Sequence, residues 1–241
     1  MQAGAERFGA KTELAEVYSV ELQDPIKKVD TSEGVFYGKT VVISTGASPR
    51  ELGVEKEQQL VGRGVNYCAA CDGMFYKGKT VVVVGGGNSA AADAMLLSRI
   101  CEKVIVVHRR DTLRATKIYH EPLMQAKNVE FAWDSVVTEL LHDGAFKGVC
   151  LKNVKTGEET ELSCDGIFIS VGRKPVTDFL ADQVELDRSG YIVADESTRT
   201  NLPGVFAVGD VRTKMLRQVV TAVADGAMAS HSIDEYLAEQ V

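Results

Sequence analysis

Residues 80–90 read Thr-Val-Val-Val-Val-Gly-Gly-Gly-Asn-Ser-Ala. The unbroken β-branched run Thr80–Val84 is the pattern of a strand buried on both faces of a parallel sheet. A glycine-rich turn follows at once. Beyond it, Asn88–Arg99 carries apolar Ala91, Ala92, Met95 and Leu96 at helical spacing. Strand, glycine turn and helix, in that order, form the context in which Gly85-x-Gly87-x-x-Ala90 binds a dinucleotide. Gly85 permits the tight turn, Gly87 admits a pyrophosphate close to the backbone, and Ala90 lets the helix pack near the strand. The N–H groups of Asn88 and Ser89 then face the anion.

The next apolar strand, Val104–Val107, selects the dinucleotide. A site for NAD places an acid about 20 residues beyond the glycines, to hold the ribose 2′-hydroxyl. Here the strand runs into His108-Arg109-Arg110, with Arg114 one turn later. Guanidinium forks match a phosphate in shape and charge. The expected ligand is therefore NADPH, its 2′-phosphate held at this cluster. The alternative is a solvated basic turn neutralised by Asp111.

Just upstream stands Cys68-Ala69-Ala70-Cys71-Asp72. Two intervening residues let the sulfurs close a small disulfide ring, and a thiolate in such a pair is stabilised. Asp72 is placed to shuttle a proton. A closed zinc site needs about four ligands. Cys101, Cys150 and Cys164 make no second pair, and no histidine stands at suitable spacing, so redox chemistry is expected and no metal.

The 241 residues are 45% hydrophobic and 25% charged, with a net charge of −7. That balance suits a globular core and argues against nucleic-acid or membrane-surface binding. No apolar run approaches the ~18–20 residues of a membrane span. The charged start lacks a signal sequence, and five cysteines are not a secreted disulfide framework. A cytoplasmic protein with one working cysteine pair is expected.

Residues 1–10 read as the last turns of a helix capped at Gly9, followed by strands near 14–20, 35–37 and 39–44. Thr45-Gly46-Ala47-Ser48-Pro49 and Gly172-Arg173-Lys174-Pro175 read as two crossings between domains. A domain of residues 49–171 is thus inserted into an outer domain of 1–48 and 172–241. Within the inner domain a helix is expected near 116–126, then strands at 130–133, 136–141, 146–153, 159–163 and 167–171. The outer domain ends in strand Val205–Val208, the turn Gly209-Asp210, and a helix over 216–237. An acid beyond a buried strand suits a hydroxyl-rich chain such as a flavin's ribityl group. The N–H groups opening the helix at Arg217-Gln218-Val219 suit a ring carbonyl. Gly-Asp after a strand is equally an ordinary turn.

Together these pieces resemble the low-molecular-weight, bacterial-type thioredoxin reductases. The resemblance is carried by Thr45-Gly46-Ala47, Cys68–Gly73, Gly85–Ala90, His108–Ala115, Gly204–Val211 and Arg217-Gln218, in the family's order. It implies an α/β fold of two Rossmann-like three-layer nucleotide-binding domains, the FAD domain interrupted by the NADPH domain. It implies electron flow from NADPH through FAD to a Cys68–Cys71 disulfide and on to thioredoxin. Cys71 would face the flavin, Cys68 would attack the thioredoxin disulfide, and Asp72 would be the acid. Arg109 and Arg114 would hold the 2′-phosphate, with His108 and Arg110 nearby. Thr45, Gly46, Gly209, Asp210, Val211, Arg217, Gln218 and Val219 would line the flavin. Arg63, Phe75 and Tyr76 flank the cysteines, with partner docking and core packing as alternatives. Family members are usually homodimers that rotate the inner domain, and the two crossings suit such a hinge. Competing functions are a reductase for a peroxiredoxin-type thiol system and a non-catalytic NADPH-binding fragment.

One family element is missing. The glycine-rich βαβ unit for the FAD adenosine has no counterpart in residues 1–40, where Gly4, Gly9, Gly34 and Gly38 do not fit. The expectation is a truncated chain, its FAD domain incomplete, with an unpaired strand edge and weak or absent FAD binding.

Overall fold

The computed structural model describes residues 2–240. Met1, where the expected first helix begins, lies outside the described residues, as does Val241. In chain order the elements are α1 (Gln2–Arg7), β1 (Val17–Glu21), β2 (Lys27–Thr31), β3 (Gly34–Gly38), β4 (Val41–Ile43) and β5 (Ala47–Pro49). Then come β6 (Val65–Asn66), α2 (Ala69–Asp72), β7 (Thr80–Val84), α3 (Asn88–Leu97), β8 (Lys103–Val107), α4 (His120–Gln125) and β9 (Val129–Ala132). The last are β10 (Ser135–His142), β11 (Phe146–Asn153), β12 (Glu159–Ser163), β13 (Gly166–Ile169), β14 (Arg173–Pro175), β15 (Val205–Ala207) and α5 (Val219–Ala238). The chain divides into two compact units, Pro49–Arg173 and Met1–Ser48 with Lys174–Val241.

The inner unit is built on a five-stranded sheet in the order β6-β13-β7-β8-β9, parallel throughout. The valine run explains its layering. Successive side chains of a strand point to opposite faces. Val81 and Val83 join one core with Val104, Val106, Phe168 and Ala90, Ala91 and Ala94 of α3. Val82 and Val84 join another with Val107, Ile169, Leu140 and Val149. The second face is covered by the antiparallel sheet β10-β11-β12, so the third layer is sheet, not helix.

The buried face of α3 is rotated from the expected one. Ala90, Ala91, Ala94 and Leu97 are buried, whereas Ala92, Met95 and Leu96 are only half-buried. The cause is proximity. A Cβ built on Gly85 would lie 2.8 Å from the Ala90 Cβ and 2.5 Å from the Ser170 carbonyl oxygen. Where the helix starts so close to the sheet only small side chains fit, and Leu97, at its far end, is the one large side chain on the buried face.

The outer unit holds the antiparallel sheet β1-β2-β3 and the parallel pair β15-β4. The expected second Rossmann-type sheet is thus represented by two strands among the described residues. Val20, Leu22, Ile43, Ile192, Val205 and Ala207 form its core. β2 and β6 were not expected from the sequence: Lys27–Thr31 is polar, and Val65–Asn66 is too short to show a period.

Candidate functional site

The strand ends of β13, β7 and β8 are in register, with Ile169 opposite Val84 and Val84 opposite Val107. A ligand crevice is expected outside such carboxyl ends. A cleft of about 710 Å³ lies there, lined by Gly85–Ser89, Arg109, Arg114 and Ser170 among others. Gly87 caps α3 in extended conformation, and a Cβ there would meet nothing within 4 Å. Its surroundings are open, as close approach of a pyrophosphate requires. Ala90 does not line the cleft; it is buried beneath Gly85.

The arginine loop is clamped to the glycine turn. The N–H groups of Arg114 and Ala115 donate to the Gly86 carbonyl at 2.6 and 3.0 Å. The Thr116 N–H donates to Asn88 Oδ1 at 2.7 Å. Arg109 and Arg114 reach the cleft, whereas Arg110 is exposed outside it. Asp111 pairs with Lys155 at 3.4 Å and not with the arginines, which are exposed.

His108 also lines the cleft, next to Arg109. It is buried, its Nε2 has no hydrogen-bond partner among the described residues, and its ring lies under Gly86, where an added Cβ would come within 2.3 Å. Burial, then the charges of Arg114, Arg110 and Arg109, push its pKa below the usual histidine range. A neutral ring thus supports the turn from beneath. Gly86, the unspecified position of the motif, proves the most crowded of the three glycines, and the sequence carries no signal for that.

Cys68 and Cys71 form a disulfide with S–S 2.04 Å. Cys68 caps α2 and its Sγ accepts from the Cys71 N–H at 3.2 Å. Cys71 is exposed, while Cys68 and Asp72 are half-buried. Burial pushes the Cys101 thiol up to about 11 and the Cys164 thiol up to about 12, which leaves both inert near neutrality. Beyond the disulfide, Met74 and Phe75 are 66% and 74% exposed. Tyr76 is not: it is buried edge-on against Phe168 at 5.3 Å and bonded to Asn66 at 2.8 Å. It belongs to the core.

In the outer unit β4 and β15 align, Ile43 opposite Ala207. This brings Thr45-Gly46 and Gly209–Val211 to one edge. Thr45 Oγ1 and the Gly46 carbonyl are already engaged with the Val176 backbone. Arg217 lies over the Tyr191 ring at 3.9 Å and donates to the Asp210 carbonyl at 3.3 Å. Gln218 and Thr221 cap α5 reciprocally, leaving the first two helix N–H groups, at Val219 and Val220, unspent. The Asp210 carboxylate has no partner among the described residues. A free acceptor beside free N–H donors fits the ring and ribityl end of a flavin. No glycine-rich strand–turn–helix for a second pyrophosphate occurs in this unit among the described residues.

Residues 5–226 match the pyridine nucleotide-disulphide oxidoreductase family. The thioredoxin reductase of Treponema pallidum is 41% identical over 237 residues, covering 98% of this chain and 77% of that protein. That of Streptomyces coelicolor is 44% identical over 240 residues, covering 99% of this chain and 74% of its own. The crystal structure of thioredoxin reductase from Streptococcus pyogenes superposes with a TM-score of 0.89 at 43% identity, covering 98% of this chain and 78% of that one. No helix among the described residues is long and apolar enough to cross a membrane.

Proposed function

Because the chain belongs to the low-molecular-weight thioredoxin reductases, we propose that it is an NADPH-dependent disulfide reductase acting on thioredoxin through FAD and the Cys68–Cys71 pair. The observation that carries this is the closed Cys68–Cys71 disulfide in the same unit as a cleft whose glycine turn and arginines suit NADPH. The inner unit is the NADPH domain and the outer unit the flavin domain. In the working enzyme two chains pair as a homodimer in the cytoplasm.

Gly85, Gly87, Asn88 and Ser89 seat the pyrophosphate, and Arg109 and Arg114 hold the 2′-phosphate by charge-assisted forks. Arg110 adds long-range attraction only, and Ala90 supports the turn from within. Asp210 takes the flavin's ribityl hydroxyls, and the α5 start takes a ring carbonyl. Thr45, Gly46, Gly209, Val211 and Arg217 shape that seat, with Gln218 and Val219 opening the helix. When bound, the flavin supplies the conversion of a hydride from NADPH into the two electrons that open the disulfide.

Cys71 Sγ receives those electrons, and Cys68 Sγ leaves as a thiolate stabilised by the Cys71 N–H. Cys68 Sγ then attacks one sulfur of the thioredoxin disulfide. A mixed disulfide forms, and the other thioredoxin sulfur departs and takes a proton from Asp72. Cys71 Sγ attacks Cys68 Sγ, restoring the intramolecular bond and expelling the second thioredoxin sulfur. Phe75 and Met74 offer an apolar contact for the partner beside this chemistry. Phe75→Ala is expected to raise KM for thioredoxin severalfold while turnover of a small aromatic disulfide is unchanged.

The test is anaerobic titration of the chain, FAD supplied, with NADPH and then thioredoxin. Two new thiols per chain are expected, passing to thioredoxin and not to a peroxiredoxin-type partner. If NADPH binds and FAD binds but no thiols appear, the protein is not a reductase. Separately, Arg114→Ala is expected to weaken NADPH by about tenfold or more, as loss of a charged hydrogen bond does. NADH binding, measured alongside, should not change.

A further inference from the structure

Asp111 follows Arg109 and Arg110 directly and precedes Arg114 by one turn. Yet among the described residues none of these arginines is in an ion pair with it or with any other carboxylate. Both neighbouring carboxylates are held by Lys155, whose Nζ is 3.4 Å from Asp111 Oδ2 and 3.0 Å from Asp134 Oδ2. Asp134 adjoins the same loop, since its N–H donates to the Arg110 carbonyl at 3.2 Å.

The lysine is presented by a braced turn. Asn153 Oδ1 accepts from the N–H groups of Lys155 and Thr156 at 2.9 and 3.0 Å. The Val154 N–H donates to the Asp134 carbonyl at 2.6 Å. The β11–β12 hairpin is thereby tied to the arginine loop. A carboxylate within two residues of two guanidiniums competes for the same forked donors that a phosphate uses. Asp111, 70% exposed, has the freedom to swing onto them.

We propose that Lys155 is a specificity-determining residue for NADPH: by engaging Asp111 and Asp134 it keeps the guanidiniums of Arg109 and Arg114 free for the 2′-phosphate. Lys155 touches no part of the cleft, so it acts through its carboxylate partners, resting on the assignment of those arginines to the 2′-phosphate.

The test is a calorimetric double-mutant cycle on the whole chain, with NADPH and NADH titrated at low ionic strength, where surface pairs are least screened. Lys155→Gln is expected to weaken NADPH about threefold, the scale of an exposed ion pair, and to leave NADH unchanged. Asp111→Asn is expected to be nearly silent alone and to restore NADPH affinity in the Lys155→Gln background. That non-additivity distinguishes capture of Asp111 from simple attraction between lysine and phosphate. An additive cycle, or wild-type NADPH affinity in Lys155→Gln, overturns the role of Lys155. If Arg114→Ala, run in parallel, retains full preference for NADPH over NADH, the 2′-phosphate assignment falls and the role of Lys155 with it.

Discussion

Asp225→Ala is expected to destabilise the outer unit by about 3–5 kcal/mol, the cost of breaking a buried ion pair from one side. Asp225 lies buried on α5. Its Oδ2 accepts from the Gly209 N–H at 2.7 Å and from Arg212 Nε at 2.9 Å, while Oδ1 accepts from Arg212 Nη2 at 2.7 Å. Lys214 Nζ donates to the same Oδ2 at 2.7 Å. Removing the carboxylate strips Lys214 of its carboxylate partner, leaves Arg212 with only the exposed Glu196 at 3.5 Å, and frees the turn that carries Asp210. Urea melts should show the loss, and FAD affinity should fall with it. NADPH binding at the inner unit should stay within twofold, which separates local from global unfolding.

The same triad sets an acid limb. Burial alone would raise the Asp225 pKa, but the hydrogen bonds from Arg212, Lys214 and the Gly209 N–H prevail and hold it near about 2, below its ordinary value of 3.8. A depressed carboxylate contributes stability above its unfolded pKa and loses it as pH falls through the folded one. The window is therefore roughly pH 4 to pH 2, worth about 2–3 kcal/mol at 1.36 kcal/mol per unit. Asp225→Asn should flatten that limb. A melt as steep between pH 4 and 2 in the variant as in the parent would refute the account.

Gly86→Val is expected to abolish measurable NADPH binding and to cost the inner unit about 1–3 kcal/mol, as overpacking does. An added Cβ would overlap the His108 ring, with its nearest atom at 2.3 Å. That ring is itself buried. The Gly86 carbonyl also anchors Arg114 and Ala115, so a displaced turn carries with it the arginine proposed to bind the phosphate. The pair Gly86→Ala with His108→Ala should recover binding relative to Gly86→Ala alone, since the second change removes the obstacle. Calorimetry with NADPH decides it; binding undiminished in Gly86→Val would show that the ring does not constrain the turn.

Local pattern was enough for the inner unit's longer strands, for the pairing of Cys68 with Cys71, and for the position of Arg109 and Arg114 at the end of β8. Each depends on short-range chemistry: a valine run needs two apolar faces, two spacer residues let two sulfurs meet, and guanidiniums beyond a nucleotide strand suit a phosphate. What the chain's order could not disclose was set by contacts between residues far apart. The buried face of α3 was decided by its closeness to the sheet, and Tyr76 was drawn inward by Asn66 and Phe168. Gly86 has no room for a side chain only because His108 folds beneath it. Asp225 and Lys155 were silent in the sequence, where single charges on a helix or in a turn read as solvated. Each matters because folding gathers its partners from elsewhere: Gly209, Arg212 and Lys214 for the one, Asp111 and Asp134 for the other.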